Sequence, residues 1–183
     1  MRTRFLRTLA FASLIAAPLA AQNTMVGGAA MLPSKDIVSN AVNSKDHTTL
    51  VAAVKAAGLV ETLQGKGPFT VFAPINGAFA ALPAGTVDNL LKPENKAALT
   101  GVLTYHVLAG RFDAKDLMMH IKKGHGTAEL TTVNGQKLWA MMNGPRNIIL
   151  KDASGNVSNI STYDVRQSNG IIHVIDHVLL PKM

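Results

Sequence analysis

The hydrophobic period of this chain changes after Gly126 from mostly helical to alternating, and that change limits the folds open to it. Before it, apolar residues recur at helical spacing in short runs. Ile37, Val38 and Val42 mark one amphipathic helix. Leu50, Val51, Val54 and Ala57 mark a second, with Asp46 placed to cap its start and Gly58 to end it. Residues 69–73 (FTVFA) interrupt the helices. They are β-branched and aromatic, follow the turn Gly65-Lys66-Gly67-Pro68 and stop at Pro74, so they read as a buried strand. Asn76 is placed to cap a helix through Leu82, and Thr86 another through Leu91. Pro93 and Glu94 suit the first turn of a helix carrying Leu99, Val102, Leu103, His106 and Val107. One more short helix covers residues 113–121.

After Gly126 the pattern alternates. Residues 127–133 and 137–142 flank Asn134-Gly135, a two-residue hairpin signal. Residues 147–151 and 157–160 flank a turn at 153–156. Residues 161–166 and 171–180 flank another at 167–170, where Asn169-Gly170 supplies a tight turn tolerant of positive φ. Residues 171–174 and 178–180 are too apolar for an exposed edge and predict a central strand buried on both faces. Helices first and strands later indicate an α+β domain with an antiparallel sheet.

The first 21 residues read as an address. Arg2, Arg4 and Arg7 precede an apolar run at 9–17, followed by Pro18 and Leu19-Ala20-Ala21. This is the pattern of a secretory signal peptide, cleaved after Ala21. The run is shorter than the about 20 residues that span a bilayer, and no transmembrane segment is expected in the mature chain. Residues 22–33, small and with Gly27-Gly28, read as a flexible leader, and residues 34–183 as a single domain. Three arginines and no acids leave with the address, so the formal net charge of +7 falls to +4. The chain has no cysteine, which excludes disulfides, thiolate metal sites and thiol catalysis. An exported protein of this kind, periplasmic or extracellular and bacterial by its signal peptide, is held by packing alone.

Three segments carry a family resemblance: TVFAPINGAF (residues 70–79), LTYHVLAGR (103–111) and SNGIIHVIDHVLLP (168–181). In order and spacing they resemble the conserved blocks of the fasciclin domain family, over roughly residues 34–181. The resemblance implies a compact β-wedge of mostly antiparallel strands packed with several short helices, its two outer blocks side by side. It also implies a secreted, non-enzymatic module for cell adhesion or for cell-surface and extracellular-matrix interaction. Ile75 departs from the Thr or Ser usual after the proline, removing a hydroxyl that would help cap the next helix. In some animal members the region around the Tyr-His block is implicated in integrin binding. Here that maps to Tyr105 and His106, the candidate interaction residues, although packing and hydrogen bonding at a helix end account for both more simply.

No catalytic constellation emerges. Gly-x-Ser-x-Gly, His-Glu-x-x-His and a phosphate-binding glycine loop are all missing. His173 and His177 sit in a β-branched run, where four residues separate the rings by about 13 Å, too far for joint chelation. No catalytic residue, metal site or cofactor is expected. Met118-Met119-His120 and Met141-Met142 offer soft donors, so an exported small-ligand or metal (copper) carrier is the alternative. The plainer reading places one methionine of each pair in the core. Asp176 is placed to accept backbone hydrogen bonds near the last strand. Aromatic residues are few (Trp 1, Tyr 2, Phe 6), leaving little for a stacking platform. Basic residues are scattered, so nucleic acid is not an expected partner. The charge of +4 suits a cell-surface or extracellular protein, or an anionic polysaccharide.

Overall fold

A computed structural model describes residues 23–182. Residues 1–21, read from the sequence as a signal peptide, lie outside the described residues. The leader begins with a small hairpin, β1 (Met25–Val26) against β2 (Ala29–Ala30). Val26 and Met31 are buried in the main core, and the Lys45 N–H donates to the Gly27 carbonyl at 3.1 Å. Within the stretch read as a flexible leader, Val26 and Met31 thus find core contacts that no local period reveals.

The helical half contains α1 (Ile37–Ala41), α2 (Thr48–Ala57) and α3 (Val60–Gln64), then β3 (Phe69–Pro74), α4 (Asn76–Ala80), α5 (Thr86–Leu90) and α6 (Lys96–Tyr105). Asp36 caps α1, its carboxylate accepting the Ser39 N–H at 2.9 Å. Asp46 does not cap α2, because it lies inside a 3-10 turn, Lys45–His47. Asn76 does so from 27 residues away, its Oδ1 accepting the Thr49 N–H at 3.0 Å. With that side chain engaged, α4 starts from Ile75 with no side-chain cap, as the missing hydroxyl implied. Gly85, not Thr86, precedes α5. Gly58 ends α2 at φ 73°, where a side chain would be strained. Val107 leaves the helix and opens β4 (Val107–Ala109), where it pairs with Val71. In α7 (Ala114–Lys123) Asp113 and Asp116 form a reciprocal capping box.

Five strands follow: β5 (Thr127–Thr131), β6 (Lys137–Asn143), β7 (Asn147–Lys151), β8 (Val157–Gln167) and β9 (Gly170–Ile175). With β3 and β4 they build one sheet in the order β4-β3-β9-β8-β7-β6-β5. Every pair in it is antiparallel except β3 with β9, which runs parallel from Phe69 opposite Gly170 to Pro74 opposite Ile175. The two outer blocks of the resemblance therefore lie side by side, as the second and third strands of the sheet. The sheet curls: just past β5, the Val133 N–H donates to the Val107 carbonyl of β4 at 2.8 Å. This is an α+β wedge of mostly antiparallel strands.

Two core clusters sit on opposite faces of β3 and β9. Ile172 and Val174 pack with Val71, Ala73, α1, α2 and α6. Ile175 and Phe72 pack with α7 and the inward residues of β5–β8, among them Leu138, Ala140, Ile148 and Leu150. All six residues of β9 are buried, as the apolar run at 171–174 predicts, but the strand ends at Ile175, so the expectation that 178–180 continue it is corrected: Val178 and Leu179 are buried outside the sheet.

Two turns differ from the sequence reading. The β5–β6 connection is a three-residue loop, closed by Thr132 N–H to Gln136 carbonyl (3.0 Å) and Gly135 N–H to Thr132 carbonyl (2.9 Å), with Gly135 alone at positive φ. In the β8–β9 turn neither Asn169 nor Gly170 has positive φ. A Cβ on Gly170 would instead run into the Phe69 carbonyl, so glycine is required by the close approach of the parallel neighbour. Asn169 acts through its side chain. Its Oδ1 accepts the Ile37 N–H at 3.0 Å, and its Nδ2 donates to the carbonyls of Leu63 (2.8 Å) and Gly65 (2.9 Å).

Candidate functional site

Tyr105 and His106 end α6, and both side chains are buried. The Tyr105 hydroxyl donates to the Lys137 carbonyl at 2.6 Å and accepts the Ala153 N–H at 2.9 Å, joining β6 to the loop after β7. His106 donates from Nδ1 to the Val102 carbonyl at 2.8 Å and accepts the Leu179 N–H on Nε2 at 3.0 Å. Burial holds its pKa down at about 4, so the ring is a neutral clamp at ordinary pH. Neither side chain is exposed at the surface.

Two other histidines are treated likewise. His173, in β9, lies between Phe72 and Tyr163 and bonds the Phe112 carbonyl through Nε2 at 2.9 Å. His47 hydrogen-bonds Ser44 Oγ at 2.9 Å. Burial lowers the pKa of each. Burial would raise Asp176, but hydrogen bonds from His177, Asn159 and Ser158 outweigh it and hold its pKa near 2. Among the described residues no three His, Asp or Glu side chains converge as a metal set. Met118 and Met119 are both exposed, which corrects the expectation that one of them fills the core: Leu117 and Ile121 are the residues of α7 that face inward.

Between α1, α2 and the β3–β9 pair lies a void of ≈ 40 Å³, lined by Val38, Leu50, Val54, Val71 and Ile172. Its wall is almost wholly apolar: the polar residues along it are Lys55 and His106, and both nitrogens of His106 are already bonded. It offers nothing to orient a ligand.

The open face of β5–β8 is different. Inward residues alternate with outward ones, so Leu138 and Ala140 enter the core while Trp139 and Met141 stand on the other side. Register places Trp139 between Glu129 of β5 and Lys151 of β7, and Met141 between Thr127 and Ile149. Trp139 and Met141 are half-buried and Lys151 is exposed. Together with Thr127 and the loop after β7 they line a trough of ≈ 520 Å³. The loop is rigidly built. Asp152 is buried, and its carboxylate accepts the N–H groups of Ser154 (2.9 Å), Asn156 (2.8 Å) and Leu180 (2.9 Å) and the Asn156 amide (3.0 Å). Tyr105 holds the same loop at Ala153. Glu129, beside the trough, is ion-paired with Lys137 at 3.0 Å.

The low count of aromatics conceals Trp139, whose importance lies in its side of the strand. The alternation Leu138-Trp139-Ala140-Met141 carried the signal: small and aliphatic residues inward leave the largest side chain in the chain on the solvent face.

Comparison with known proteins agrees with this architecture. A family model of the fasciclin domain matches residues 45–181. Protein sll1483 of Synechocystis sp. is 44% identical over 164 residues, covering 88% of this chain and 82% of that protein. The cell surface glycolipoprotein MPB83 of Mycobacterium bovis is 34% identical over 171 residues, covering 90% of this chain and 70% of that one. A solved FAS1 domain pair from the insect cell adhesion molecule fasciclin I superposes with a TM-score of 0.70 at 18% identity. It matches 80% of this chain, which spans about half (51%) of the pair. The extent of the segment matched by the family model and the identity to these relatives lead to one conclusion: the chain belongs to the fasciclin domain family.

Proposed function

We propose that this protein is an exported, non-catalytic adhesion module that holds cell-surface or extracellular material on the open face of β5–β8. The observation that carries the reading is the trough beside Trp139, a concave polar and apolar surface braced from behind by Tyr105 and Asp152. Support comes from the company the fold keeps, a cell surface glycolipoprotein and a cell adhesion molecule. Among the described residues no three His, Asp or Glu side chains form a metal-holding group, and no helix is long and apolar enough to cross a membrane. Export rests on the basic and apolar pattern of residues 1–21.

Binding of the exported protein to its own cell envelope and extracellular polymers, at low and high salt, tests the proposal. The expected result is saturable binding that weakens with salt, because exposed charges are screened within about 8–10 Å at ordinary ionic strength. No binding to any fraction, together with normal adherence of a deletion strain, would refute it. Metal analysis of protein purified from its native compartment separates the copper-carrier alternative, which requires bound copper there.

A further inference from the structure

The trough has a composition that goes further than adhesion in general. Its floor is the indole of Trp139 and the thioether of Met141, side by side on one strand. Its cation is Lys151, directly opposite Trp139 in the β6–β7 register. Its remaining polar residues are Thr127 and Ser154 with their hydroxyls, Asp152, and the loop backbone at Gly155.

Charge sets the sign of the occupant. Among the described residues no carboxylate lies within ion-pair distance of Lys151. Glu129 is paired with Lys137, and the Asp152 carboxylate is turned inward onto four donors. The trough thus presents one uncompensated positive charge beside an aromatic face.

Size and shape set the kind of occupant. A volume of ≈ 520 Å³ is that of a site for a unit of small-molecule size. A protein partner would instead need a flat patch of about 800 Å² on each side. A sugar ring is apolar on its C–H face and hydroxylated at its edge. Stacked on the indole, it would present that edge to Thr127, Ser154 and the loop backbone. A carboxylate on the ring would reach Lys151. From this geometry, and resting on the adhesion reading above, we infer that the trough binds a hexuronate unit of an acidic polysaccharide, with Trp139 as the stacking platform and Lys151 as the carboxylate partner.

The chain holds one tryptophan, so its fluorescence reports on this site alone. The protein without its signal peptide is titrated with oligogalacturonate and, in parallel, with uncharged maltohexaose. The expected result is a saturable fluorescence change with oligogalacturonate that weakens as salt rises, and affinity for maltohexaose at least about tenfold lower. Lys151→Gln, at an exposed position that leaves the reporter intact, should weaken oligogalacturonate about tenfold and remove most of the salt dependence. Trp139→Ala, followed by calorimetry with its melting temperature as a fold check, should abolish binding. Unchanged affinity in Lys151→Gln, equal affinity for the uncharged oligomer, or no saturable change at all would overturn the inference.

Envelope binding separates this inference from the adhesion reading. If wild type and Trp139→Ala bind envelope equally, adhesion stands and the trough does not carry it. If Trp139→Ala loses envelope binding but oligogalacturonate never binds, the trough carries adhesion to another partner and the uronate assignment falls. If oligogalacturonate binds as described while envelope does not, the site stands and the adhesion reading falls.

Discussion

His106 holds Leu179: its Nε2 accepts the Leu179 N–H at 3.0 Å, while Nδ1 donates to the Val102 carbonyl. The clamp fastens the segment after β9 to the end of α6 and works only with the ring neutral, since a protonated Nε2 has no lone pair to offer. Because the folded pKa is about 4 and the ordinary value 6.5, the unfolded chain takes up the proton first. Stability is therefore full above pH 6.5 and falls by about 3 kcal/mol as pH drops from 6.5 toward 4. His47 and His173, also lowered by burial, act with the same sign. Urea midpoints between pH 7.5 and 4 check this, and a flat profile across that range would contradict it.

Asn169→Ala should cost about 2–4 kcal/mol. It leaves the Ile37 N–H and the carbonyls of Leu63 and Gly65 without their partner in a buried setting. Chemical denaturation measures it. A loss below about 0.5 kcal/mol, the range of ordinary surface changes, would show that water replaces the side chain freely.

Ile175→Ala should cost about 2–5 kcal/mol, since Ile175 is fully buried (0% exposed) at the end of the central strand and packs in the second core cluster. The same denaturation experiment reads it.

Tyr105→Phe should cost about 1–3 kcal/mol, leaving the Ala153 N–H and the Lys137 carbonyl unpaired. It should also weaken oligogalacturonate severalfold without touching it, because Ala153 lines the trough. Retention of full affinity in a destabilised Tyr105→Phe would show that the rim does not depend on this brace.

The elements whose identity depends on local pattern were legible in the sequence. The apolar run at 171–174 reads as a buried strand because both of its faces are apolar, although 178–180, equally apolar, lies outside it, and the FTVFA strand and Gly58 stop are local as well. Roles that depend on distant partners were not. Asn76 caps a helix that begins before it in the chain, Val26 and Met31 are core residues inside a stretch with no period, and Gly170 answers to the Phe69 carbonyl. For the site the same division holds. The alternation of β6 contains Trp139's orientation, but the brace from Tyr105 to Ala153 joins residues 48 apart and has no sequence signature.

The pairing of β3 with β9 also governs the order in which the protein forms. The neighbours Phe69 and Gly170 are separated by about 100 residues, and such a non-local parallel contact is costly in loop-closure entropy and slow to form. Helices α1–α6 can gather during synthesis, but the middle of the sheet stays unfilled until residues 170–175 exist. A chain cut before residue 170 would expose the apolar flank of β3 to other molecules instead of settling as a smaller domain, and its fate would be aggregation or proteolysis.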